Sequence, residues 1–342
     1  MRLGVLDIGS NSAQLQVVDI VPGGPPLPAY AVKEPTLLAE SYTPDGAIDE
    51  HGVRRAVEAV SRALDAAQRL EVDQLYTFAT SAIRDATNRD AIVSRIEDGT
   101  GIRPQFLSGE DEARLTYLAA RRWYGWSAGR LLVLDIGGGS MEIVYGTGLL
   151  PDLVVSLPLG AGRLTRRFLP DDLPTAKQLR RLRRHIRDEL GEVAERLAWE
   201  GTPNRAVATS KTFKQLARLA GAPPQRQGPF VRRRLTVDDV AKWVPRLART
   251  PIAERAEFRG VSRSRAGQMV AGAMVAHAAM RQFKVPSVDV CPWALREGVV
   301  LCHAVWDARG FLPLQPISLA DQPKVYDIPR QLMIGSAAAA GT

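Results

Sequence analysis

The sequence predicts an α/β fold built from two related halves with a cleft between them. Three observations carry that reading. Apolar segments of strand length alternate with segments of helical periodicity along all 342 residues. The octapeptide VLDIGSNS at Val5–Ser12 returns almost unchanged as VLDIGGGS at Val133–Ser140. A chain of this length also holds material for two hydrophobic cores.

Taken in order, the first VLDIG leads into a strand over Ala13–Ile20. The run Pro22–Pro28 breaks any sheet that follows it. Thr43–Gly46 is a Pro-Asp-Gly turn before a helix with Val53, Val57, Val60 and Leu64 on one face. Leu75–Thr80 reads as a buried strand opening into a helix near Ala82, and Ser108–Gly125 as another helix. Leu131–Ile136 is a second apolar strand ending in an acid, with Met141–Gly146 as its hairpin partner. Thr175 and Gln178 form a capping box for a long helix with Leu179, Leu182, Ile186, Leu190, Val193 and Leu197 inward. Its other face carries Lys177, Arg180, Arg181, Arg183, Arg184 and Arg187. Then come a strand at Ala206–Ser210, helices over Thr212–Ala220, Leu235–Arg249 and Arg265–Phe283, a strand at Val288–Pro292 and a helix at Leu295–Val305. Residues 331–342, rich in small side chains, are expected to be disordered.

Composition narrows the function classes. With 45% hydrophobic and 24% charged residues the chain reads as globular. Asp7 interrupts the short apolar start before a signal segment can form, and the longest apolar run, Met269–Met280, is too short for a bilayer. A cytoplasmic protein without a membrane partner is expected. Cys291 and Cys302 make neither a disulfide framework nor a CxxC pair, and read as buried thiols. The four histidines lack zinc-ligand spacing. A net charge of +8 suits a polyanionic partner or simply a solvated surface. No zinc finger, RNP or helix-turn-helix pattern points to specific nucleic-acid binding.

Each repeated octapeptide is a buried strand ending in an aspartate and a glycine-bearing turn. Glycine lets backbone approach a ligand closely, and successive N–H groups in such a turn form an anion cradle. Gly9, Ser10, Asn11 and Ser12 in the first copy, and Gly137, Gly138, Gly139 and Ser140 in the second, are therefore candidate phosphate contacts. A strand-end aspartate can hold Mg²⁺, which takes one or two carboxylates with phosphates and waters. Hairpin turns of this kind are otherwise ordinary; two in register make the functional reading stronger. The chain contains no GxxxxGK[ST], GxGxxG or GxSxG.

In these segments the sequence resembles the exopolyphosphatase and guanosine pentaphosphate phosphohydrolase (Ppx/GppA) family of the actin–sugar kinase–Hsp70 superfamily. Asp7–Ser12 and Asp135–Glu142 resemble its two phosphate loops. Thr80–Asn88, Ser108–Leu118, Ser156–Thr165, Ala208–Gly221 and Ala294–Gly298 follow in the family's order. The chain departs from the pattern at Met141, Lys211 and Gly267, where the family usually has threonine, glycine and aspartate. The resemblance is to the short form and implies two RNase H-like (actin-like ATPase superfamily) domains with an interdomain cleft. Domain I would cover residues 1–125 plus 300–330, and domain II 126–299.

The family reaction is release of orthophosphate from a terminal phosphoanhydride. It requires charge neutralisation at the phosphoryl oxygens and an in-line water. Glu110, Asp111 and Glu112 would as helix-start acids contribute only ~0.3–1 kcal/mol each to the dipole, and periodicity does not single one out. The family match does: it places the base at Glu112. It also implies Asp135 as the Mg²⁺ ligand, with Asp7 and Glu142 supporting and Mn²⁺ as the alternative metal. Arg84, Arg163, Lys211, Arg265 and Arg296 fall in family blocks as phosphate contacts, although any one arginine in so basic a chain is more often a surface residue. The expected substrate is inorganic polyphosphate, chiefly short chains. The alternatives are a pppGpp phosphohydrolase, and a polyphosphate- or (p)ppGpp-binding regulator with little turnover. Around Val290–Gly298 the double glycine of nucleoside-binding relatives is missing, which disfavours a kinase or ATPase. A homodimer is expected from the family alone.

Overall fold

A computed structural model describes residues 1–21, 24–25, 27–305 and 312–319. The chain divides into two compact units. One is Met1–Ser108 with the described residues from Val299 on; the other is Gly109–Gly298. Residues 331–342 lie outside the described residues, as does most of the expected 300–330 return.

The first unit holds a mixed sheet of β1 (Arg2–Ile8), β2 (Ser12–Asp19), β3 (Tyr30–Pro35), β4 (Gln74–Ala79) and β5 (Gln105–Phe106), with β12 (Ile317–Ser318) at one edge. β1 runs antiparallel to β2, with Asp7 opposite Gln14, and parallel to β4. Helices α1 (Glu50–Arg69), α2 (Ser81–Arg84) and α3 (Arg89–Thr100) accompany the sheet. α1 begins where Asp49 accepts the Gly52 N–H. Its predicted face, Val53, Val57, Val60 and Leu64, is buried in one cluster with Leu6, Ile8, Leu15 and Val17 of β1 and β2.

The second unit repeats the plan. It contains α4 (Gly109–Tyr124), β6 (Leu131–Ile136), β7 (Met141–Gly146), β8 (Leu153–Leu157), α5 (Ala161–Phe168), α6 (Ala176–Glu200), β9 (Arg205–Ala208) and α7 (Lys211–Leu219). After these come β10 (Arg234–Thr236), α8 (Val237–Ala248), α9 (Ile252–Glu257), α10 (Arg263–Ala266), α11 (Met269–Gln282), β11 (Ser287–Val290) and the start of α12 (Leu295–Val305), whose residues from Val299 on belong to the first unit. The strand order is β10-β11-β9-β6-β7-β8. β6 is antiparallel to β7 and parallel to β9, as β1 is to β2 and β4. The doubled octapeptide is thus a doubled strand–turn–strand. The long helix α6 opens on the Thr175/Gln178 capping box and buries Leu182, Ile186, Leu190, Val193 and Leu197. Its six predicted cations are all exposed, a solvated face.

Three sequence expectations differ from the structure. α4, expected in domain I, groups with the second unit, because it packs on β6, β7 and β8 and its buried Arg121 donates to the carbonyls of Gly129 and Gly146. The helix expected from Leu235 starts later, since Leu235 pairs with Val288 in a strand before Thr236 caps α8. The helix expected over 265–283 is two, α10 and α11, with Gly267 between them.

α4 and α12 approach at backbone distance. A Cβ on Gly298 would stand 2.1 Å from the Leu115 carbonyl oxygen. A side-chain neighbour could rotate away; a helical carbonyl cannot. Gly298→Ala is expected to cost about 1–3 kcal/mol, measured as a melting temperature lowered by roughly 3–10 °C. A Tm within a degree of the parent would show that these helices can part without cost.

Candidate phosphate-binding turns

In the second unit the turn after β6 has every carbonyl engaged. Gly137 N–H donates to the Ser140 carbonyl at 2.9 Å. The Gly137 and Gly138 carbonyls accept from Ala161 and Arg163 N–H at 3.0 and 2.9 Å, and Arg163 Nε reaches the Gly139 carbonyl at 2.8 Å. The N-terminus of α5 thus captures the turn's oxygens. The N–H groups of Gly138, Gly139 and Ser140 meet no acceptor among the described residues. Successive N–H groups left over in this way form a concave, partly positive site for an oxyanion. Gly160 makes the close approach feasible: a Cβ there would fall 2.2 Å from Gly139 C and 2.4 Å from Ser140 N.

The first unit solves the same problem with a different captor. Gly9 N–H donates to the Ser12 carbonyl at 3.1 Å, the counterpart of Gly137 to Ser140. Thr36 Oγ1 takes the Gly9 carbonyl at 2.8 Å, Ala39 N–H the Ser10 carbonyl at 3.0 Å, and Thr36 and Leu37 N–H the Asn11 carbonyl at 3.1 and 3.3 Å. Leu37 is held at φ 48°, unusual for a branched side chain, while making that bond. The N–H groups of Ser10 and Asn11 meet no acceptor among the described residues, and buried Asn11 Oδ1 has no partner there.

The acidic residues of the second unit gather near its turn. Asp135 and Glu142 stand directly opposite on β6 and β7, so their side chains share a face. Asp135 Oδ2 accepts from Thr209 Oγ1. Glu142, buried, accepts from Ser156 Oγ at 3.1 Å. Gly109, the first residue of α4, sits against that same Ser156, 2.3 Å from where its Cβ would lie. The helix carrying Glu110, Asp111 and Glu112 therefore starts beside Glu142. Arg114 separates those three acids, pairing with Glu110 at 2.9 Å and Asp111 at 3.4 Å. Glu112 is half-buried.

Helix α7 also ends its approach at this turn. Thr209 N–H donates to the Leu134 carbonyl and Thr212 Oγ1 to the Ile136 carbonyl, both from the strand that leads into it. Between them Ser210 is held at φ 59°, in a conformation costing about 1–3 kcal/mol that the two flanking bonds impose. Among the predicted cations, Lys211 is exposed, whereas Arg265 is deeply set: burial pulls its pKa down and the nearby Asp135 offsets this. Arg265 Nη1 and Gln268 Oε1 are buried without partners among the described residues. Arg296 is half-buried. In the first unit Arg84 is tied to Asp85 at 3.1 Å and to the Leu107 carbonyl at 2.8 Å, and Asp7 ends β1 as Asp135 ends β6. Arg163, also predicted as a phosphate contact, donates its Nε to the Gly139 carbonyl of the turn.

Sequence reading missed Thr209, Ser156 and Lys214. Lys214 stands one turn into α7; burial lowers its pKa, against the opposing pull of Glu297, with Arg296 lowering it further. The only signal was position: Thr209 ends a strand parallel to β6, and Lys214 follows three residues after Lys211.

Asp135 and Glu142 suit a magnesium ion at a phosphate cradle. The donor set is one half-exposed strand-end carboxylate, a second beside it, and spare N–H groups for the phosphate oxygens the ion would share. Among the described residues no three His, Cys, Asp or Glu side chains converge as a cage. An ion held here would take its other ligands from phosphate and water. Burial pushes both thiols, Cys291 and Cys302, up to about 12, so neither is poised as a nucleophile.

Two α/β units of one plan, each presenting a turn with captured carbonyls and spare N–H groups, define an actin-like protein built to handle phosphoryl groups. The chain belongs to the Ppx/GppA phosphatase family, whose sequence profile matches residues 17–304. It is 48% identical over 310 residues to exopolyphosphatase 1 of Mycobacterium tuberculosis (strain ATCC 25618 / H37Rv), spanning 91% of this chain and 90% of that protein. It is 46% identical to exopolyphosphatase 1 of Mycobacterium leprae, spanning 91% of each. Among solved structures, the Ppx/GppA family member from Aquifex aeolicus matches with a TM-score of 0.73 at 27% identity, over 89% of this chain and 98% of that one. The exopolyphosphatase from Cytophaga hutchinsonii shares the fold with a TM-score of 0.81 at 22% identity, over 89% and 98%. No helix among the described residues is long and apolar enough to cross a membrane.

Proposed function

We propose that this protein is an exopolyphosphatase that removes orthophosphate from the end of short inorganic polyphosphate. The observation that carries the reading is the Gly137–Ser140 turn: four engaged carbonyls and three spare N–H groups next to Asp135. Such a cradle beside a carboxylate suits a phosphate chain that brings a metal ion to offset the Asp135 charge better than it suits a neutral ligand. The names of the mycobacterial relatives support polyphosphate over pppGpp.

In this reading the turn's N–H groups and Arg265 hold the terminal phosphoryl oxygens. Asp135, with Glu142 beside it, holds Mg²⁺, which when bound neutralises charge on the phosphate oxygens. Glu112 orients a water for in-line attack and takes its proton. In the first unit, the spare N–H groups of Ser10 and Asn11 offer a phosphate oxygen a second set of donors.

Orthophosphate release from tripolyphosphate, longer polyphosphate, pppGpp and ATP, each with Mg²⁺ or Mn²⁺, tests the substrate. Tripolyphosphate is expected to be turned over fastest. Faster release from pppGpp would make the protein a pppGpp phosphohydrolase, and tight binding without turnover of any would make it a regulator. Asp135→Asn is expected to raise the Mg²⁺ concentration for half-maximal rate by about tenfold or more. An unchanged Mg²⁺ dependence would remove Asp135 from the metal site.

A further inference from the structure

The second unit contains two adjoining cavities lined by no residue of the Gly137–Ser140 turn. The first, about 310 Å³, is walled by Trp123, Tyr124 and Phe230. The second, about 250 Å³, is walled by Arg234 and Lys284. Arg205, Arg232 and Asp289 line both. One cavity is therefore aromatic and its neighbour cationic, joined by a shared wall.

The aromatic wall is assembled with care for its geometry. Trp123 stacks on Phe230 with centroids 5.3 Å apart and planes at 23°, and meets Trp293 edge-on at 5.1 Å. Phe230 is nevertheless 82% exposed, so core burial does not explain its place. Its loop is held from below by buried Arg233, which donates to the carbonyls of Pro223, Pro224, Gly228 and Val231. The arginines of the shared wall are also fixed. Asp289 accepts from Arg205 Nη1 at 2.8 Å and from Arg232 Nε at 3.0 Å and Nη2 at 3.1 Å. Arg205 in turn lies over the Tyr124 ring at 4.8 Å. One carboxylate thus orders two guanidinium groups, and with Arg234 and Lys284 nearby the wall keeps a positive surplus. An ordered guanidinium loses little further freedom on binding an anion.

We propose that the two cavities form a second ligand site for a planar heteroaromatic ring bearing a phosphate, the chemistry of a nucleoside monophosphate. The ring packs on the Trp123–Phe230 wall, where stacking accepts any base, and the phosphate reaches Arg232, Arg234 and Lys284.

The test is titration of the full chain with AMP, followed by calorimetry and by quenching of tryptophan fluorescence. Adenosine and inorganic phosphate serve as half-ligand controls. Saturable AMP binding with a Kd below about 1 mM is expected, and each half-ligand is expected to bind at least about tenfold more weakly. Phe230→Ala and Arg232→Ala should each weaken AMP by about tenfold or more, with circular dichroism and orthophosphate release from tripolyphosphate unchanged. The binding should also persist under excess tripolyphosphate in EDTA. Absence of saturable binding up to about 10 mM, full AMP affinity in both variants, or displacement by tripolyphosphate would each overturn the proposal. The last would place AMP at the phosphate turns instead.

Discussion

Glu112→Gln is expected to lower kcat by roughly 10²–10⁴-fold, the usual contribution of a positioned general base, while leaving the fold intact. The amide keeps the side chain's size but cannot take a proton. Removing one acid from the first turn of α4 costs only about 0.3–1 kcal/mol, so melting should barely move. Glu110→Gln is the matched control. Glu110 is an exposed partner of Arg114, and surface pairs of this kind contribute about 0–1 kcal/mol. Its loss is expected to leave turnover within about twofold on the same ground. Steady-state orthophosphate release by the three proteins, with thermal melts alongside, decides the matter. Near-parent activity in Glu112→Gln would transfer the role elsewhere.

Gly160→Ala is expected to lower kcat/KM by roughly 10–100-fold, because reacting groups displaced by about 1 Å lose rate on that scale. The added methyl would meet the Gly139 carbon at 2.2 Å and the Gly139 and Ser140 nitrogens at 2.4 Å. No flexible side chain lies in the way to give ground, so the turn itself must move. Gly162→Ala is the graded comparison: its methyl would meet the Gly138 carbonyl oxygen at 3.0 Å and Gln268, a side chain able to shift, at 3.3 Å. A smaller loss is expected there. Full activity in Gly160→Ala, with an intact fold by circular dichroism, would show that the Gly137–Ser140 turn does not grip the reacting phosphate.

Much of the fold was legible because its signals are local. The apolar strands before Asp7 and Asp135, the face of α1 and the Thr175/Gln178 box are each written within a few residues, and each appears in the structure. Misreadings arose where a distant partner outvoted local pattern. Leu235 belongs to an apolar periodic run, yet Val288 recruits it into a sheet. The sequence 265–283 has one periodicity, yet the chain breaks at Gly267. Ser108–Gly125 reads as a helix in any context; which core it joins depends on the strands that accept it, here β6, β7 and β8.

The residues alone determined that two strand–turn–strand units would form, that each would carry an acid before a glycine turn, and where the long helices would bury their apolar faces. These properties follow from alternation and helical period, which act between neighbours in the chain. Only the tertiary structure decided which atoms of the turns remain available. That depended on α5 capturing the second turn's carbonyls and Thr36 through Ala39 capturing the first's. It also decided that Trp123, Arg205, Phe230 and Asp289, far apart in sequence, share a wall. A hydrogen bond or a stacked ring depends on distances of a few ångströms in space, and no spacing along a chain encodes those until the chain has folded.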